Sequence, residues 1–183
     1  MVSEARAARN ASCARGGARY IRAMFAFAPT ADAPKPEIYR QLADAATALT
    51  AGERDAVANM ANIAALLWDF LPALNWAGFY RMVEGELVLG PFIGRPACIR
   101  IPLGRGVCGT AAATGASQLV EDVHAFPGHI ACDAASASEL VVPVLRDGEV
   151  IAVIDLDSPE KARFDEDDQA GIEALAAAIA ERI

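Results

Sequence analysis

The apolar residues of this 183-residue chain change their period near position 72 and change back near position 165, which narrows the fold more than any other feature. From Glu37, the residues Ile38, Leu42, Ala45, Ala46 and Leu49 recur at a helical 3.6-residue spacing, and Gly52 follows as a stop. Residues 53–71 set Val57, Met60, Ile63, Ala64, Leu67 and Phe70 on one stripe, which Pro72 ends. Beyond it lie short strand-like runs at 76–83, 87–89, 97–101, 118–120, 140–145 and 150–156. Glu84-Gly85 supplies one turn between them and Asp147-Gly148 a second, of hairpin type. The helical period returns over 165–182, with Asp165, Glu166, Asp167 and Asp168 at its start and Ile172, Leu175, Ala176 and Ile179 as its core face. Helices at both ends of a mainly antiparallel sheet of about six strands make a single α+β domain.

Composition excludes several other classes. With 54% hydrophobic and 22% charged residues the chain can bury the core of one domain, which rules out disorder and a disulfide-stapled miniprotein. No uncharged apolar run approaches the roughly 18 residues of a membrane span, so a soluble, cytoplasmic protein without membrane contacts is expected. A net charge of -8 argues against nucleic acid as a partner. Residues 1–36 are the exception, with six basic side chains against two acidic ones and a proline-rich end at Pro29, Pro34 and Pro36. They read as an extension outside a domain at 37–183: a disordered basic tail, a presequence for organellar import, or a segment ahead of a start at Met24.

Chemistry concentrates in the middle of the chain. Of the four cysteines, Cys13 lies in the extension, while Cys98, Cys108 and Cys132 fall within 35 residues and form no C-x-x-C pair. Cys108 sits in Gly104-Arg105-Gly106-Val107-Cys108-Gly109, formally G-x-G-x-x-G. A dinucleotide site is a poor reading, because the helical stretch that follows, 110–114, is short and no parallel βαβ unit surrounds it. A glycine turn opening a helix presents free N–H groups that lower the pKa of a thiol placed there, so Cys108 is expected to ionise easily. The segment 122–138, DVHAFPGHIACDAASAS, is long for a connection inside a domain and carries His124, His129, Cys132 and Asp133. A metal held by these histidines and the three cysteines is the obvious rival. Its only near pair is H-x-x-x-x-H, so neither a metal nor any other cofactor is expected. For each cysteine alone, a small buried hydrophobe is the plain alternative.

Glu139 opens one strand, and Asp155 and Asp157 in V-I-D-L-D share a side of another. Solvation at a strand end would explain them; converging carboxylates, which raise each other's proton affinity, would instead suit a cationic ligand or a proton donor. Trp76 and Tyr80 lie four apart, on one strand face, with Phe79 on the other.

Five segments, N-W-A-G-F-Y (75–80), L-G-P-F-I-G-R-P-A-C (89–98), I-P-L-G-R-G-V-C-G-T-A-A (101–112), D-V-H-A-F-P-G-H-I-A-C-D-A-A-S (122–136) and V-I-D-L-D-S-P (153–159), closely resemble the free methionine-(R)-sulfoxide reductases, which are GAF-domain enzymes. The resemblance covers roughly residues 37–183 and implies one GAF domain that reduces free L-methionine-(R)-sulfoxide to methionine. It implies attack by Cys132, resolution by Cys98 and a second partner in Cys108, although the glycine-helix setting leaves Cys108 open as the attacking thiol. By the same resemblance Glu139, Asp155 and Asp157 bind the substrate's ammonium group, Trp76 and Tyr80 wall its methyl-sulfur end, backbone N–H groups from 128–132 take its carboxylate, and thioredoxin reduces the disulfide. A homodimer is compatible with it. The competing expectation is a non-enzymatic GAF module sensing a small ligand or oxidation, for which the chain offers no output domain.

Overall fold

The computed structural model describes residues 27–128 and 134–183. Cys13, His129, Cys132 and Asp133 lie outside them.

Two helices lead: α1 (Lys35–Leu49) starts behind Pro34, and α2 (Ala56–Phe70) is capped by the Asp55 carboxylate, which accepts from the Ala58 N–H at 2.8 Å. Six strands follow: β1 (Trp76–Val83), β2 (Glu86–Gly94), β3 (Arg100–Ile101), β4 (Gln118–Val120), β5 (Ser138–Arg146) and β6 (Glu149–Ser158). Helix α3 (Gly106–Thr114) and a 3₁₀ turn at Val123–Ala125 lie between them, and α4 (Glu166–Ile179) closes the chain. The strands form one antiparallel sheet in the order β3-β2-β1-β6-β5-β4. Both two-residue turns have positive φ at each position, at 53° and 84° for Glu84-Gly85 and 53° and 82° for Asp147-Gly148, the geometry that matches strand twist.

The two faces of the sheet carry different loads. Ala77, Phe79, Leu140, Val142, Ile154 and Leu156 point to one side and pack under α1, α2 and α4 as the main core. Trp76, Tyr80, Val141 and Val153 point to the other, where α3 covers them with Val107, Cys108 and Ala111. Alternation along β1, β5 and β6, interrupted only by the irregularity where Ile151 and Ala152 both face the main core, thus sends every second residue to a smaller, second core.

The expected α+β architecture is present, with local corrections. Val57 does not join the core stripe and is 49% exposed; Asn59 turns inward instead, its amide donating to the Arg182 carbonyl at 2.7 Å. The strand expected over 97–101 shrinks to two residues at the sheet edge, while the run at 87–89 grows to nine, bulged opposite Phe79 where Gly90 and Pro91 interrupt the ladder. Helix α3 starts at Gly106, four residues early, and α4 ends at Ile179 rather than at 182. Asp165 and Asp168 form a reciprocal capping box at the start of α4. Among the described residues no helix is long and apolar enough to cross a membrane.

Candidate active site

Register across three strands assembles the acidic group. Asp157 of β6 stands opposite Trp76 of β1 on one side and Glu139 of β5 on the other. In the next inward-facing row Asp155 stands between Gly78 and Val141. Gly78 carries no side chain at this point, where an added Cβ would lie 2.4 Å from the Phe92 Cβ. Phe92 and Pro91 of β2 occupy that position, so the glycine lets β2 approach closely.

The aromatic wall is tied to the loop after β2. Trp76 stacks on Phe92 at 5.1 Å between centroids and on Tyr80 at 5.9 Å. Its indole N–H donates to the Arg95 carbonyl at 3.1 Å, and the Tyr80 hydroxyl donates to the Cys98 carbonyl at 3.0 Å. Gly94, at φ 140°, is forced by this packing, since a Cβ there would sit 2.6 Å from the indole. These bonds fix half-buried Cys98 beside a narrow cleft lined by Trp76, Tyr80, Arg95, Asp155 and Asp157. Its cavity of about 10 Å³ has room for roughly one water.

Cys108 arrives from the opposite side, on the first turn of α3. The glycines ahead of it serve backbone geometry: Gly104 and Gly106 adopt φ of 74° and 64°, and Gly109 lies where a Cβ would be 2.4 Å from the Pro102 carbonyl oxygen. No phosphate cradle of the dinucleotide kind is needed to explain them. The free Cys108 thiol is 5% exposed and donates to Glu139 Oε1 at 3.9 Å, a weak sulfur hydrogen bond.

Electrostatics reverses one expectation. Burial, helped by the Asp155 and Glu139 carboxylates, pushes the Cys108 thiol well above its ordinary pKa. Placement on the first turn of α3 is outweighed by desolvation and by the carboxyls of Asp155, Glu139 and Asp157, so Cys108 is a buried thiol rather than a ready thiolate. The carboxyls are perturbed in the same direction. Burial, then the neighbouring Asp155 and Asp157, raise Glu139 well above the carboxylate range. Burial lifts Asp155 to about 7, partly offset by hydrogen bonds from Cys108 and Glu139. Near neutrality this pair therefore holds a proton. Asp155 Oδ1 is buried without a hydrogen-bond partner.

Among the site residues read from the sequence, Trp76, Tyr80, Cys98, Cys108, Glu139, Asp155 and Asp157 are on the α3 side of the sheet or in the loop beside it. His124 is exposed on the 3₁₀ turn, 3.7 Å from Asp122. Phe92 and Arg95 line or support the cleft and were given no role from sequence; the glycine-flanked run Gly90 to Pro96 was the available signal.

This sheet, with helices packed on one face and a cleft under a short helix on the other, is a GAF domain, and the GAF domain family model matches residues 55–183. The chain is 50% identical to the free methionine-R-sulfoxide reductase of Escherichia coli over 79% of its own length and 88% of that protein's. It is 44% identical to the enzyme of that name from Saccharomyces cerevisiae, covering 79% and 85%. A solved structure of free methionine-R-sulfoxide reductase from Neisseria meningitidis, in complex with its substrate, superposes with a TM-score of 0.80 at 44% identity, covering 85% of this chain and 95% of that one. The chain belongs to the family of free methionine-R-sulfoxide reductases.

Proposed function

We propose that this protein reduces free L-methionine-(R)-sulfoxide to L-methionine by thiol chemistry in the cleft between β1, β6 and α3. The observation that carries the reading is the buried carboxyl pair Glu139 and Asp155, set with Asp157 beside the Trp76–Tyr80 wall. A free amino acid brings an ammonium group that carboxylates can hold and a methyl-sulfoxide end that an aromatic wall can pack against. Selection of the free amino acid follows, because a peptide-bound sulfoxide has no ammonium to offer and would leave the buried carboxylates unpaired.

The proposed reaction runs in two steps. The Cys132 thiolate attacks the sulfoxide sulfur while a carboxylic acid of the pair protonates the oxygen; methionine leaves and Cys132 becomes a sulfenic acid. The Cys98 thiol then displaces hydroxide from that sulfur, which departs as water, and a Cys98–Cys132 disulfide forms. An external dithiol protein of the thioredoxin kind reduces it for the next cycle. The raised pKa of Cys108 supports giving the attack to Cys132 and leaving Cys108 as a hydrogen-bond donor to Glu139. We take the catalytic domain to begin near residue 37, with α1 reaching back to Lys35 and Phe27 packing on the main core.

A steady-state assay with dithiothreitol tests the reading. The R epimer of the free amino acid is expected to be reduced, with the S epimer and an N-acetylated, C-amidated sulfoxide turned over at least a hundredfold more slowly. Equal rates on the capped substrate would refute recognition through the carboxylates.

A further inference from the structure

Three donor atoms from three separate elements meet beneath the cleft: Cys108 Sγ of α3, a Glu139 oxygen of β5 and an Asp155 oxygen of β6, all within 4.8 Å of one another. Among the described residues this is the one group of three such side chains, and neither Cys98 nor His124 belongs to it. All three are buried, with Asp155 6% and Glu139 7% exposed. A second observation points to a missing electropositive ligand: Asp155 Oδ1 is buried and accepts no hydrogen bond, those from Cys108 and Glu139 reaching the carboxyl only at its other oxygen. Packing two carboxyls and a thiol together out of water is costly unless a proton or cation offsets them.

We infer that Cys108, Glu139 and Asp155 form a binding site for one thiophilic divalent cation of the zinc type, which blocks the reduced cleft. Tetrahedral zinc holds sulfur at about 2.3 Å and carboxylate oxygen at about 2.0–2.2 Å, which spaces its ligand atoms by roughly 3.3–3.7 Å. The three donors already lie within about 1 Å of that spacing. A sulfur donor beside oxygens selects zinc over magnesium or calcium, which take oxygen alone. Binding exchanges protons for metal: the thiol proton and the proton held by the carboxyl pair pass to solvent, and no electron moves. The cation then occupies the charge that a substrate ammonium would otherwise neutralise. This competition rests on the functional reading above; the metal site itself does not.

Cobalt(II) titrated into the reduced, metal-free full-length protein is the probe. One equivalent is expected to produce a near-ultraviolet thiolate-to-cobalt charge-transfer band, which zinc bleaches. The band should persist in Cys98→Ala, vanish in Cys108→Ala, and require at least tenfold more cobalt in Glu139→Gln. Absence of the band in the wild type, or its survival in Cys108→Ala, overturns the inference. Should Cys108→Ala fail to fold, an unchanged cobalt affinity in Glu139→Gln does so. Zinc inhibition of sulfoxide reduction should be relieved by rising substrate. Turnover without cobalt binding would refute the metal site and spare the function; a Cys108-dependent band without turnover would do the reverse.

Discussion

Replacing Asp155 by asparagine should make the protein more stable and less active, with a pH signature that separates the two effects. The Asp155 carboxyl ionises at about 7 when folded, against about 3.9 in an unfolded chain. A group whose pKa is higher when folded binds more protons in the native state, so its contribution to stability falls as pH rises from about 4 to about 7. The span of roughly 3 pH units corresponds to about 4 kcal/mol, an upper value because Glu139 titrates with it. The asparagine side chain does not ionise, and its amide can donate toward Glu139. At pH 8 the variant should therefore melt above the wild type by up to roughly 8–16 °C, using about 2–4 °C per kcal/mol for a domain of this size. At pH 4, where the wild-type carboxyl is protonated in the folded state and about half protonated in the unfolded one, the gap should close. Loss of one charged hydrogen bond to the substrate, about 1.5–3 kcal/mol, should lower kcat/KM by about 10- to 150-fold. Melting curves from pH 4 to 9 measure the first effect and the epimer assay the second. A melting difference that does not change with pH would refute the claim that Asp155 is a strained, buried acid.

Three further outcomes follow from the packing. Gly78→Ala sets a Cβ 2.4 Å from the Phe92 Cβ and 2.7 Å from the Pro91 carbonyl, so it should cost about 1–3 kcal/mol in chemical denaturation and also lower kcat/KM by shifting the aromatic wall. Tyr39→Phe removes the hydroxyl that donates to buried Asp168 at 2.6 Å; on the opposite face of the sheet, it should lose about 1.5–3 kcal/mol of stability with kcat/KM unchanged. Cys108→Ala should continue to form methionine with dithiothreitol, whereas Cys132→Ser should not. The reverse pattern would return the attacking role to Cys108.

The helices, the two tight turns and the side of each strand were legible because period and parity are local properties. Asp155 and Asp157 share a face for the same reason that Trp76 and Tyr80 do, and the register then makes those faces one. That register was not legible: the row Trp76–Asp157–Glu139 joins residues 63 and 81 positions from the start of β1 through strand pairing alone. The Cys108 expectation failed on the same ground. Its glycine-helix context is written locally and argues for a thiolate, but three carboxylates delivered by other strands reverse it. Phe92 and Arg95 went unassigned because their positions depend on a bulge and a loop, and neither has a period.

The central claim is that two thiols of this chain reduce one free sulfoxide per cycle, and a single turnover without reductant tests it most directly. Prereduced protein mixed with excess L-methionine-(R)-sulfoxide should yield one methionine per chain, lose two titratable thiols, and then stop until dithiothreitol is added. Methionine formed with no loss of thiols, or no methionine at all, would contradict the account.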